Sequence, residues 1–271
     1  MRAYARLPSD RIFALGLRTW LRHSLQIHAV AALCLGPLAL TAKSGDPFRE
    51  SRILGLFGLY PTAWAVSMDL VEPAADIEGD VILSYFAQFA ATVILVRQAH
   101  RALAGRAPRG GPIAILRVAI LAIGSLLVFA ALDGLVAAAS ECSSALPVLI
   151  FIAITVAEAF LAATFWLALP AVAVDGHGVF SALSRGRALA HGSGFRVFAL
   201  ILVPFFLQWI MVLPFGLLVN ALEGHALSKL VFAVPAILLV TLKACVLAAA
   251  HHEACLRKEG PRADEIGSIF A

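Results

Sequence analysis

His251, His252, Glu253 and Cys255 crowd one short stretch near the end of the chain. Imidazole, carboxylate and thiol groups bind metals and move protons. His251 and Cys255 are four residues apart, so on a helix they share a face. To hold an ion they would need an outside ligand such as His177 or His191. The spacing fits neither HExxH nor any zinc-finger pattern. The sequence therefore assigns no metal and no cofactor here, and reads the group as polar residues flanking an apolar run.

A second set of candidates lies inside apolar runs. Glu158 sits in one of them, and an ionised carboxylate at the centre of a membrane helix costs about 2.5–3.5 kcal/mol on insertion scales. Lys243 lies in another run that crosses in the same direction. Counted from the outer ends at about 1.5 Å per residue, the two are roughly 15 Å and 20 Å deep. A lysine side chain can bridge that offset. Gln88 and Gln208 fall within reach of the same depth, which gives an intramembrane polar layer of Gln88, Glu158, Gln208 and Lys243. Such a layer either joins helices or lines a proton or solute path. Lys243 has the alternative of snorkelling to the rim. No nucleophile elbow, paired catalytic carboxylates or triad spacing is present, so no enzyme activity is expected.

These residues are positioned by six long apolar stretches, at about 20–41, 81–96, 118–139, 148–169, 197–219 and 230–250. A helix rising about 1.5 Å per residue crosses roughly 30 Å of hydrocarbon in about 20 residues. The stretch 81–96 needs flanking residues to complete a crossing. The first gains its length from the basic helix before it. Hydrophobic residues make up 61% of the 271 and charged residues only 14%, as in a polytopic membrane protein rather than a soluble domain. The basic balance, with a formal net charge of +4, sits at the membrane rim instead of marking a nucleic-acid binder.

Charge fixes the orientation. Arg2, Arg6, Arg11, Arg18 and Arg22 precede the first stretch; Arg97, Arg101, Arg106, Arg109 and Arg117 lie between the second and third. Arg185, Arg187 and Arg196 separate the fourth from the fifth, and Arg257, Lys258 and Arg262 follow the last. The alternate gaps carry most of the acids. Positive loops stay in the cytoplasm, which places both termini inside. Cys34, Cys142, Cys245 and Cys255 are scattered singly and form no disulfide framework. The arginine-rich start lacks a cleavage pattern, so the first stretch is expected to be retained.

Two pieces read as interfacial helices. Over 9–24, Arg11, Arg18 and Arg22 share one side of a helix while Ile12, Phe13, Leu17, Trp20 and Leu21 take much of the rest, with Ser9 as N-cap. Over 175–196, a short helix at 178–191 is bracketed by Gly176 and Gly178 before it and Gly192 and Gly194 after it, with Val179, Phe180, Leu183 and Ala190 on an apolar side. Arg11, Arg18, Arg22, Arg185 and Arg187 are the expected contacts to anionic lipid head groups. Residues 51–66 read as a short re-entrant or interfacial piece. Gly105 is expected to stop the second long helix, and a new one to begin near Ile113. Pro204, Pro214 and Pro235 are read as interruptions in the last two stretches.

The segment Pro170, Asp175-Gly176, Ala182-Leu183, Arg185-Gly186 and Phe195-Arg196-Val197-Phe198 resembles a bacterial group. So does the ending Leu256-Arg257-Lys258-Glu259-Gly260. That group is the six-helix membrane domain of membrane-anchored glycerophosphodiester phosphodiesterases, with its stand-alone relatives. The chain departs from it at Asp175, where the group has Glu, at Gly186, where it has Ser, and at Glu253, where it has Tyr. The resemblance covers essentially the whole chain in topology and implies no catalytic residue, because the phosphodiesterase activity belongs to a separate barrel domain.

The expectation is thus an all-α polytopic bundle of six transmembrane helices in a bacterial inner membrane, N-in and C-in, with amphipathic interfacial helices. Its role would be non-enzymatic, in envelope or lipid homeostasis or as a membrane scaffold. The alternative is a small transporter or channel built on the polar layer. Membrane lipids are the expected partners. Small residues such as Gly124, Ala131, Gly134 and Ala138 allow close contact between copies or with another membrane protein.

Overall fold

The computed structural model describes residues 9–41, 79–105, 107–108, 111–121, 123–124, 128, 131, 146–203, 207, 210, 218, 222 and 226–259. Within these, side chains at 34–41, 79–89, 146–152, 154–155, 158–159, 162, 226–233, 235–236 and 259 are left undescribed. The piece 51–66 and Pro204, Pro214 and Gln208 lie outside the described residues.

Every regular element among the described residues is an α-helix. In chain order they are α1 (Ser9–Arg22), α2 (Ser24–Thr41), α3 (Gly79–Ala104), α4 (113–121, with helical residues onward to 131), α5 (Leu146–Ala173), α6 (Val179–Ala190), α7 (Gly194–Val203) and α8 (Ala226–Glu259). A helix that is apolar all round belongs at the centre of its fold. The middle of α8 has that composition, and Ala244, Cys245, Val246, Leu247, Ala248, Ala249 and Ala250 are all buried. Its small side chains let α1, α2, α3, α5 and α6 pack against it. The last turns of α5 share that core through Leu167, Ala168, Leu169, Ala171 and Val172.

Local signals end and join these helices. Gly105 stops α3 in the left-handed region (φ 66°), with its N–H donating to Arg101 O at 2.9 Å. Gly176 (φ 78°) ends α5 similarly: its N–H donates to Val172 O and that of His177 to Ala171 O. Between α1 and α2 only His23 departs from the helix. The N–H bonds of His23 to Thr19 O and of Ile27 to His23 O carry the i to i−4 pattern across it. The basic helix thus does lead into the first apolar stretch.

Several elements outrun their sequence bounds. α3 exceeds 81–96 at both ends, α5 continues past 169 to Ala173, and α8 exceeds 230–250 at both ends. Pro235, expected to interrupt the last stretch, lies within an unbroken α8. One missing N–H does not break a helix of 34 residues that is packed along much of its length.

The two amphipathic helices are packed more tightly than interfacial pieces need to be. A Cβ on Gly16 of α1 would lie 2.9 Å from Val246 Cα, so α1 sits directly on the α8 backbone. Trp20 Nε1 adds a 2.8 Å hydrogen bond to Thr241 Oγ1. On α6 a Cβ at Gly186 would meet Thr164 O at 2.4 Å and Ala168 N at 2.8 Å. That contact sets the rotation of α6. The line Ala182, Gly186 and Leu189 faces inward, while Phe180 is 88% exposed. The expected apolar side with Phe180 is corrected accordingly, although Val179 and Leu183 do pack against the core.

One segment among the described residues, Ile237–Lys258, is long and apolar enough to cross a membrane. Since 78% of its window is buried within the molecule, the core helix of a soluble protein would meet the same criterion. Ser24–Leu33, Ala163–Ala173 and Gly194–Val203 are shorter apolar helices. Among the described residues the fold is therefore all-helical, with one helix able by length and composition to span a bilayer.

Candidate functional site

The end of α8 that carries His251 meets the turn between α5 and α6. That turn exists because Gly176 reverses the chain after α5, and it is held by Arg117 of α4, whose Nη1 donates to Gly176 O at 2.7 Å. Asp175, one residue earlier, is brought against α8. Its Oδ2 lies 3.3 Å from His251 Nε2 and 3.2 Å from Arg185 Nε of α6. The Asp175 side chain is 8% exposed and that of His251 2%. An acid is thus held at ion-pair distance from both an imidazole and a guanidinium, with little of either the acid or the imidazole left in solvent.

Cys255, one turn beyond His251, completes the group. Its Sγ lies 3.6 Å from His251 Nε2, and Arg185 Nη2 donates towards it at 3.7 Å. Asp175, His251 and Cys255 form the set whose ligand atoms all fall within 4.8 Å of one another among the described residues. These are the residues that could hold a metal ion. His100 of α3 adds a third imidazole, its ring centroid 6.3 Å from that of His251 and 6.1 Å from that of His252.

A parallel pairing surrounds Glu253. Its carboxylate is 5% exposed, with Arg11 Nε at 3.2 Å and Arg257 Nε at 3.6 Å. A buried carboxylate requires such compensation. Lys258 then closes the C-terminus of α6 by donating to Ala188 O and, at 2.7 Å, to His191 O. Lysine at a helix C-terminus satisfies carbonyls that lack an intrahelical partner.

Next to this group lies an open cavity of about 810 Å³ between α5 and the α6–α7 turn. Arg187, Arg196, Ser193 and Thr164 supply its polar lining, with Phe160 and Phe195 beside them. Both rings are turned outward, 64% and 82% exposed.

The sequence-derived candidates divide sharply. His251, Glu253 and Cys255 do come together with partners from other helices, but the outside ligand is Asp175 rather than His177 or His191. Arg18, Arg22 and Arg187 are exposed, as a lipid contact requires. Arg185, expected among head groups, instead turns inward with 21% of its side chain exposed, and Arg11 is shared with Glu253. Lys243 lies half-buried on α8. Gln88 lies on α3 and Glu158 on α5, but their side chains, like the whole of Gln208, lie outside the described residues.

The sequence alone does not single out Asp175 as a partner of this group. Its distance from His251 in the chain hides the contact. The available signal was that the gap after the fourth apolar stretch and the end of the sixth share one basic rim.

No family model matches the chain, and no curated protein or solved structure does.

Proposed function

We propose that this chain is a multi-pass protein of a bacterial inner membrane, with six spans and both termini cytoplasmic. It acts without enzymatic chemistry of its own, in envelope or lipid homeostasis or as a membrane scaffold. The observation that carries this reading is the outer apolar surface. Leu25 and Leu33 of α2, Ile113 and Leu116 of α4, and Val156 and Phe160 of α5 are each more than half exposed. Apolar side chains of this size, repeated on three helices, find their favourable environment in lipid rather than water. The resemblance to the six-helix membrane domain and the alternation of basic gaps point the same way.

In this setting Arg18, Arg22 and Arg187 meet anionic head groups at the cytoplasmic face. The cavity beside Arg187 and Arg196 offers a phosphate group two guanidinium partners, while Phe160 and Phe195 border it with apolar surface.

Topology mapping with a membrane-impermeant thiol reagent tests the proposal. Single cysteines placed at 107 and in the tail after 260 should both be protected in sealed right-side-out vesicles and both labelled in inverted ones. Labelling of the two from opposite faces overturns the arrangement. In nanodiscs, the variant R18Q/R22Q/R187Q should retain less anionic lipid than the parent, and unchanged retention removes the head-group role.

A further inference from the structure

We propose that Asp175, His251 and Cys255 form a binding site for a thiophilic divalent cation of the zinc class, with the Arg185 guanidinium occupying the charge position when the ion is absent. The argument is geometric. Zinc–nitrogen and zinc–oxygen bonds of about 2.0–2.1 Å and a zinc–sulfur bond of about 2.3 Å, set at a tetrahedral angle, place N and S about 3.6 Å apart and N and O about 3.3 Å apart. His251 Nε2 lies 3.6 Å from Cys255 Sγ and 3.3 Å from Asp175 Oδ2. Two of the three ligand–ligand distances thus match those around a single small ion, and all three ligand atoms lie within 4.8 Å of one another, so a small side-chain adjustment closes the set.

The donor set selects the class of ion. Thiolate and imidazole favour zinc and its neighbours over magnesium or calcium, which take oxygen ligands. Two of the ligands sit one helical turn apart on α8, where the helix fixes their separation, and the third comes from a glycine-ended turn on another element. Three protein ligands leave a fourth position for water or an anion.

Arg185 explains how the group persists without metal. Its guanidinium contacts the same two atoms, Asp175 Oδ2 and Cys255 Sγ, that an ion would bridge. A fifth of its side chain is exposed, so it has a way out towards solvent when an ion enters. Ion and guanidinium repel each other, and the two states are therefore alternatives.

Full-length protein in detergent, stripped with chelator and titrated with Co²⁺, tests the site without reference to how many times the chain crosses a membrane. The expected result is one Co²⁺ per chain with a sulfur-to-cobalt charge-transfer band and the strong visible bands of tetrahedral cobalt, both removed by Zn²⁺. C255S should lose the charge-transfer band and H251A the tetrahedral bands, whereas H252A keeps both. R185Q, which removes the competing cation, should bind Co²⁺ at least about tenfold more tightly. Absence of a charge-transfer band in the folded parent protein overturns the site, whatever the variants do. So does its survival in C255S, which would trace it to another thiol, or weaker binding by R185Q.

Discussion

The helices α1 and α6 solve one packing problem twice, with different partners. Each is short and amphipathic, each rests on a longer helix through a central glycine, and each sends an arginine to a buried acid. Gly16 and Arg11 join α1 to Val246 and Glu253 of α8. Gly186 and Arg185 join α6 to Thr164 and Ala168 of α5 and to Asp175. The difference lies in depth. Arg11 keeps 66% of its side chain in solvent, whereas Arg185 keeps 21% and shares its acid with His251. Amphipathic sequence alone therefore does not say whether a helix lies on a surface or is built into a core. The depth of its one close contact does.

The largest break in this parallel should come from the glycines. G186A drives a methyl group into the Thr164 carbonyl and the Ala168 amide, backbone atoms that cannot move aside. It should cost about 3 kcal/mol, against about 1–2 kcal/mol for G16A. At roughly 2–4 °C per kcal/mol, thermal melting in detergent separates the two, and equal shifts would show that α6 is no more tightly seated than α1. The arginines come next. R185Q leaves Asp175 buried with fewer compensating charges and should cost about 2 kcal/mol. R11Q removes the more exposed of the two guanidinium groups beside the buried Glu253 and leaves Arg257 in place, so it should cost about 1 kcal/mol, part of it lost at high salt. The smallest effect belongs to Trp20 of α1. W20F keeps an aromatic ring but drops the hydrogen bond to Thr241, for about 0.5 kcal/mol, and a melting curve identical to the parent would mean that this bond contributes nothing.

What the sequence made legible was local. Ser9 opens α1, Gly105 closes α3, and the glycines around 178–191 bracket α6 to within a residue, because each signal acts on its own backbone. The all-helical character followed from the long apolar runs, whereas of the six expected crossings the described residues contain one helix long and apolar enough to span a bilayer. Pro235 misled because a proline breaks a short isolated helix more readily than a long packed one. Phe180 misled because a twelve-residue helix can be rotated on paper, whereas the Gly186 contact allows a single rotation. Asp175 and His251 were each visible as residues but not as a pair. Their meeting depends on where two distant helix ends arrive.

The length of α8 has a consequence for assembly. Its 34 residues reach about 51 Å, against roughly 30 Å of hydrocarbon, so in the proposed setting a stub of several turns stands clear of the bilayer. Glu253, the imidazoles of His251 and His252 and the Cys255 thiol cluster on that stub, while the described part of the helix below it is mainly alkyl, with Thr241 and Lys243 as its polar members. In that setting helices can gather around α8 with few polar contacts to order them, and become locked when the aqueous stub is clasped. The chain would be fastened from the wet end, like a bundle tied at its neck.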